Sequence, residues 1–415
     1  MNKKLLTQLY NERRSNAWLL IELLLVSVVL WYIVDSLFVT FSTYTEPRGF
    51  DITNTYNIEM GYYDEKSLDY IPNQTDKELN SDMRELIDRL RRHPAVEAVS
   101  ASLTSYPYNG TNNMILAQID TMQSNNRVIW RRVTPDFFRV FRYQGANGET
   151  PDQLAALLKG DVFMASRNLF QAQYNVDLKD FVNRSFILGG DTTNYYPLVA
   201  TLENVRYTDF TQVCKSTTIV SLLNENWLDH TVELCIRVRE GASPTFAEDL
   251  MKEASKQYCV GNIFMFKVTS FETIRQNFQL TEMNYTRKDL VGVGFLLVNV
   301  FLGLLGTFWF RTHQRRAEIA LMMAFGGSKR AMFKRLMSEG LLLLVVVTPL
   351  AMLINFNIAY AELTYSWNFT FYSVERFFIC VFSTFALIAL MILLGIWFPA
   401  RKAMKIQLAE TLHDD

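Results

Sequence analysis

Cysteine and histidine are scarce in this 415-residue chain, four of each, and their spacing excludes the commonest metal sites. There is no Cys-x-x-Cys and no His-Glu-x-x-His, the patterns that bring two ligands to one turn or one helix face. None of the eighteen glycines is followed by lysine. The chain therefore lacks the Gly-Lys-Ser/Thr loop that cradles nucleotide phosphates, and it does not hydrolyse ATP by that route. No Gly-x-Ser-x-Gly elbow for a nucleophilic serine occurs. Adjacent acids such as Asp64 and Glu65 read as solvated loop residues rather than an acid/base couple. A formal charge of -1 and a pI near 6.5 leave no basic field to neutralise nucleic-acid phosphates, so nucleic acid is not an expected partner. No internal repeat, low-complexity tract or Pro/Gly-rich linker divides the chain. A catalytic enzyme is not expected.

Apolar residues are plentiful and unevenly placed. They make up 49% of the chain, enough for a large core, yet the mean hydropathy is only +0.04, because a water-soluble stretch from about Thr43 to Arg287 dilutes long apolar runs at both ends. Leu290–Phe310 and Phe377–Phe398 contain no charged residue, and each meets the roughly 20 residues needed to cross a bilayer. Gly340–Ala359 is similar, with Thr348, Pro349 and two asparagines. The run Ala17–Phe41 carries Glu22 and Asp35. At about 1.5 Å per residue both acids sit roughly 9–11 Å from its centre, within reach of the two interfaces. They read either as interfacial acids or as a buried polar contact with another helix. The run is too long and too bulky at its end for a cleaved signal, so it reads as a retained anchor.

Basic residues set the orientation. Lys3, Lys4, Arg13 and Arg14 precede the first run, and Arg311, Arg315, Arg316, Lys329, Arg330, Lys334 and Arg335 lie between the second and third. Arg401, Lys402 and Lys405 follow the fourth, whereas the segment between the third and fourth offers only Arg376 beside Glu362 and Glu375. The positive-inside bias places both termini and the connector in the cytoplasm, and the large domain outside. The expected order is a cytoplasmic amphipathic segment 1–16, spans at 17–41, 290–310, 340–359 and 377–398, and an extracytoplasmic domain 42–289. A cytoplasmic connector 311–339, a short outer loop 360–376 and a cytoplasmic tail 399–415 complete it.

The outer domain reads as α+β with two subdomains. Strands are expected at Phe50–Gly61, Val96–Leu103, Met114–Asp120, Arg127–Val133, Asp161–Ala165, Ser185–Leu188, Tyr196–Leu202 and Val232–Val238. Met83, Leu86, Ile87 and Leu90 recur at helical spacing within Leu79–Arg92, which His93-Pro94 stops. Further helices are expected at Arg167–Tyr174 and Phe246–Gln257. Cys214, Cys235 and Cys259 fall in this domain, and are either one disulfide with a spare thiol or three small buried residues.

The connector is the most informative stretch. Ile319, Met322 and Met323 lie on one helical side. Gly326-Gly327 supplies the positive-φ freedom that ends helices, and Ser328 is a candidate N-cap for a helix running through Met332, Phe333, Leu336 and Met337 into the third span. On physical grounds this segment is either an interfacial helix on anionic headgroups or a docking ridge.

Arg316–Gly340, RAEIALMMAFGGSKRAMFKRLMSEG, resembles the hallmark of MacB/FtsX-like permeases of bacterial ABC transporters. Pro399-Ala400-Arg401-Lys402-Ala403 and Ala409-Glu410-Thr411-Leu412 are similar to the family's closing motif. His93–Ser100, Val133–Phe138 and Ile236–Arg239 fall where a MacB-like periplasmic core has comparable segments. The resemblance implies an inner-membrane permease with four spans and an external domain. Its partners would be an ABC ATPase subunit, a second permease and a periplasmic adaptor. No cofactor would be bound directly, because ATP and Mg belong to the partner ATPase.

In such a permease the connector acts as a coupling helix, here using Arg315, Arg316, Glu318, Ile319, Met323, Phe325, Gly326, Gly327 and Arg330. The implied function is mechanotransmission of ATP-driven movement to the external domain, for export of a peptide, lipid-linked or drug-like cargo. The alternative is an FtsX-like regulatory scaffold that switches a cell-wall hydrolase. Met322-Met323 stands where the family commonly shows a basic pair, and Thr348-Pro349-Leu350 where it shows glycines. One explanation of these departures is pairing with a different, more standard permease; the alternative is a homodimer.

Overall fold

The structure is a computed structural model that describes residues 13–124, 128–314, 321, 325, 328–368 and 370–403. The chain opens with helix α1 (Arg13–Thr45), then β1 (Thr55–Tyr62), α2 (Asp76–Arg92), β2 (Val96–Leu103), β3 (Asn113–Ile115), β4 (Ala117–Ile119), β5 (Met122–Gln123) and β6 (Val128–Val133). Next come α3 (Phe137–Phe141), α4 (Pro151–Leu157), β7 (Phe163–Ser166), α5 (Gln171–Tyr174), β8 (Ser185–Leu188), β9 (Tyr196–Leu202), β10 (Thr218–Leu222) and β11 (Glu233–Val238). The last elements are α6 (Phe246–Gln257), β12 (Cys259–Val260), β13 (Ile263–Ser270), α7 (Phe271–Phe278), α8 (Leu280–Gln314), α9 (Lys329–Tyr360) and α10 (Val374–Ala403). They form two compact units, a sheet unit of residues 43–283 and a helical unit made of what precedes and follows it. Both chain junctions fall inside helices, α1 and α8.

In the sheet unit thirteen strands run in the order β12-β13-β1-β11-β2-β6-β10-β7-β9-β8-β4-β5, with β3 on β6. The β6–β10 and β7–β9 pairs are parallel and the others antiparallel. Helix α2 shows how sequence dictates this packing. Thr75 and Glu78 form a reciprocal capping box at its start, which satisfies two otherwise orphaned amides. Met83, Leu86, Ile87 and Leu90 are buried as their spacing requires, each adding roughly 1.5–3 kcal/mol over exposure. They join Ile58, Leu234 and Leu250 in one core, while Phe137, Phe138, Phe141, Met164 and Val220 build a second. The two cores share strands β2 and β11, whose alternate residues enter one or the other: Val99 and Leu234 the first, Ala98 and Cys235 the second.

Several expected elements differ in extent. The first strand begins at Thr55 rather than Phe50, because the chain turns at Asn54, which has φ 53°. Met114–Asp120 is two short strands in different ladders, β3 against β6 and β4 against β8. Helix 167–174 is only its last turn, α5. Strands β10 and β13 were not anticipated from the sequence; β10 is buried on both faces between β6 and β7 and so lacks alternation. Cys214, Cys235 and Cys259 are all free thiols, Cys235 buried and the others half-buried.

Among the described residues, four helices are long and apolar enough to cross a membrane, at Ala17–Thr45, Leu280–Phe310, Arg330–Tyr360 and Val374–Trp397. Leu23, Leu30, Leu304, Leu344, Ile388 and Ile392 are buried among them. Between spans in lipid, burial of apolar surface gives little drive, and close packing must supply it. Gly340 does so: a Cβ there would lie 2.7 Å from Ile396 and 2.8 Å from Ile392 of α10. Helix α10 begins at Val374, so Arg376 belongs to the helix and not to the loop 360–376.

Candidate functional site

Most of the expected docking segment, namely Arg315, Arg316, Glu318, Ile319, Met323, Gly326 and Gly327, lies outside the described residues. Phe325 sits in a turn closed by its amide donating to the Leu321 carbonyl at 3.1 Å, and its ring is 85% exposed. Ser328 caps α9, its hydroxyl accepting from the Ala331 amide at 3.3 Å, which satisfies one of the four orphaned amides of a helix start. Arg330, in the first turn, is also exposed.

Both acids of α1 are held by side chains of other helices. Asp35 is 3% exposed, and the Arg376 guanidinium of α10 meets it fork-on, with Nε donating to Oδ1 at 2.7 Å and Nη2 to Oδ2. Arg376 Nη2 also donates to the Tyr365 carbonyl at 2.8 Å, so the pair ties α1, α10 and the loop between α9 and α10 together. A lone aspartate in a span costs up to about 2.5–3.5 kcal/mol at the midplane and less toward either end, and a bidentate partner offsets the cost here. Glu22 is held by the Thr307 hydroxyl of α8, which lies 3.1 and 3.0 Å from its two carboxylate oxygens. Of the two readings open in the sequence, the structure supports a polar contact between helices.

A second cluster occupies the sheet unit. Asp209 is 2% exposed and receives Arg48 Nε at 3.0 Å, Arg275 Nε at 2.7 Å and the Tyr108 hydroxyl at 3.2 Å. Arg206 beside it donates to the carbonyls of Glu46 at 2.6 Å, Thr211 at 3.0 Å and Asp209. Burial pulls the Arg206 pKa down. Burial acts the same way on Arg275, but its bonds to Asp209 and Glu272 outweigh it and hold the guanidinium more firmly protonated than usual. Glu46 and Arg48 closely follow α1 and Arg275 closely precedes α8. One buried carboxylate therefore fastens the segment entering the sheet unit to the segment leaving it. Nothing in the local sequence marks Asp209; only the fold brings its partners together.

The sheet unit also carries an open cleft of about 770 Å³ lined by β1, β13, α7 and the loop 104–111. Glu233 stands in it, accepting from the Ser102 hydroxyl at 2.9 Å, the Ser105 amide at 2.8 Å, the Tyr106 amide at 3.3 Å and the Asn109 side chain. Burial pushes the Glu233 carboxyl above its ordinary pKa, and these donors together with the charge of Arg131 only partly offset it. Burial and nearby Glu233 raise the Tyr106 phenol to about 12. Thr104 and Tyr108 hold φ of 46° and 63° in the same loop, a backbone conformation that side chains other than glycine rarely adopt. Among the described residues, no cluster of His, Cys, Asp or Glu is arranged to hold a metal ion.

With this geometry in view, comparison with known proteins is informative chiefly for the helical unit. Residues 290–408 match the family described as FtsX-like permease C-terminal. The matched region takes in the apolar part of α8, the connector, α9 and α10. No curated protein matches the chain. Among solved structures, the extracellular domain of the noncanonic ABC-type transporter YknZ from Gram-positive bacteria aligns at TM-score 0.29 and 12% identity, over 51% of this chain and 100% of that one. A domain described as part of a permease protein from Porphyromonas gingivalis aligns at TM-score 0.31 and 11% identity, over 55% and 98%. Residues 290–408, which take in most of the second candidate span and all of the third and fourth, are thus similar to the C-terminal region of FtsX-like permeases.

Proposed function

We propose that this chain is the permease subunit of an ABC transporter, coupling ATP hydrolysis by a separate ATPase to movement of its extracytoplasmic sheet unit. The FtsX-like C-terminal match over residues 290–408 carries the reading. Orientation rests on the basic residues flanking the spans, which put the connector and both termini in the cytoplasm. In this reading the ATPase grips the connector around Phe325, with Arg315, Arg316 and Arg330 steering it. The spans carry the motion outward, and the Asp209 cluster makes the two chain segments that enter and leave the sheet unit move as one. Helix α8 has only 6% of its apolar window buried, against 28–33% for the other three, which favours lipid or a second permease against it. ATP and Mg act on the partner, and the cargo is peptide, lipid-linked or drug-like.

Affinity isolation of the full chain from native membranes tests this. An ATPase with a second permease and a periplasmic adaptor supports transport, whereas an ATPase with a cell-wall hydrolase supports the regulatory scaffold. Isolation without any ATPase overturns the proposal.

A further inference from the structure

Inside the helical unit, α1, α9 and α10 surround a cavity of about 20 Å³, counted as room for the centre of a water molecule. Four polar atoms on its lining residues are buried and have no hydrogen-bond partner: Ser27 Oγ, Trp31 Nε1, Asn355 Oδ1 and Thr384 Oγ1. Their residues are 5%, 1%, 3% and 5% exposed. Such groups rarely stay unpaired in a native interior, least of all in lipid, where bulk water cannot reach them. A cavity needs about 10–15 Å³ on this measure to hold one water, and that water needs two to four polar partners.

We propose that this cavity binds one water molecule, which joins the three helices through Ser27, Trp31, Asn355 and Thr384. The donor and acceptor count closes on a single water. Trp31 can only donate and Asn355 Oδ1 can only accept, while each hydroxyl can do either. The water accepts from Trp31 and from one hydroxyl, and donates to Asn355 and to the other. A sodium ion fits the oxygens, but the Trp31 N–H presents its positive edge to the same space.

The position gives the water a mechanical meaning. Thr348 also lines the cavity and donates to the Leu344 carbonyl at 2.7 Å. The next residue, Pro349, lies inside α9 and removes an amide from its ladder. A water joint beside this weakened turn can be remade in more than one helix geometry, whereas direct side-chain bonds fix one.

Hydroxyl-radical footprinting by X-ray radiolysis of the full chain in lipid nanodiscs tests the site. A bound water is split in place and oxidises its neighbours, so Trp31 and Met352 label rapidly despite burial while lipid-facing Leu353 does not. Ser27→Ala with Thr384→Val loses most of that labelling in a variant that still folds. If the double variant does not fold, Thr384→Val alone, which keeps the side-chain shape, is read in the same way. Absence of labelling in the unaltered protein overturns the proposal, as does equal labelling in the folded variant. A higher melting temperature in sodium than in choline assigns the cavity to a cation and likewise overturns it.

Discussion

Asp35 and Arg376 lie 341 positions apart in the chain and meet as a bidentate ion pair, 3% and 3% exposed, inside the helical unit. Cys380, which packs in an apolar cluster with Trp31 and Phe377, has its thiol 3.7 Å from Asp35 Oδ1. Removing one partner leaves the other charged and buried, which costs about 3–5 kcal/mol. Replacing both by apolar side chains of similar size removes the need for pairing and is often close to neutral. Arg376→Met is therefore expected to lower the melting temperature in detergent sharply, and Asp35→Leu with Arg376→Met to recover much of the loss. Equal melting of single and double variants would show that the pair contributes nothing specific.

The Asp209 cluster predicts an ordered set of losses. Arg275 is 16% exposed and Arg48 33% exposed, so water screens the Arg48 bridge more. Asp209→Ala strands both guanidinium groups and is expected to cost about 3–5 kcal/mol. Arg48→Ala is expected to cost less than about 1 kcal/mol, as partly exposed bridges do. Thermal unfolding of the full chain checks the ranking, and an Arg48 loss as large as that of Asp209 would contradict it.

Much of this architecture is legible in the sequence, and the reason is periodicity. The four apolar runs and the face Met83, Leu86, Ile87 and Leu90 are local signals, each set by residues within a few turns of one another. The Ser328 cap is equally local. Strand β10 is hidden because a strand buried on both faces loses the alternation that betrays a strand. Asp35 was ambiguous for a different reason. Its distance from the centre of the run suits an interfacial acid, and only the fold reveals that Arg376 reaches it. Asp209 and Glu233 are invisible for the same cause: Arg48, Tyr108 and Arg275 reach Asp209 from three separated segments, and the partners of Glu233 lie more than 120 positions upstream, within residues 102–109. All nine docking residues rest on the sequence and on family resemblance, and of them only Phe325 and Arg330 fall among the described residues.

Glu233 predicts a pH dependence. Burial raises its pKa above the ordinary 4.5, so the folded protein holds this proton more tightly than the unfolded chain. The resulting stabilisation is complete below 4.5 and is lost as pH rises through the raised value. Glu233→Gln cannot ionise, so its melting temperature should fall less between pH 4.5 and neutrality than that of the unaltered protein. Parallel curves for the two would show that Glu233 ionises normally.

The connector prediction separates docking from folding. Phe325 is 85% exposed, so its ring adds nothing to the core, and Phe325→Asp should leave the melting temperature within about 0.5 kcal/mol of unchanged stability. If the ring is a knob seated in an ATPase groove, the same substitution buries an unpaired carboxylate at that interface and should abolish copurification of the ATPase. Gly326→Pro should do likewise by removing the positive-φ freedom of the joint. A merely interfacial connector gives a different pattern, because an added acid then weakens contact with anionic lipid and leaves ATPase association intact. Retention of the ATPase by both variants, with folding preserved, would move the docking surface away from this turn.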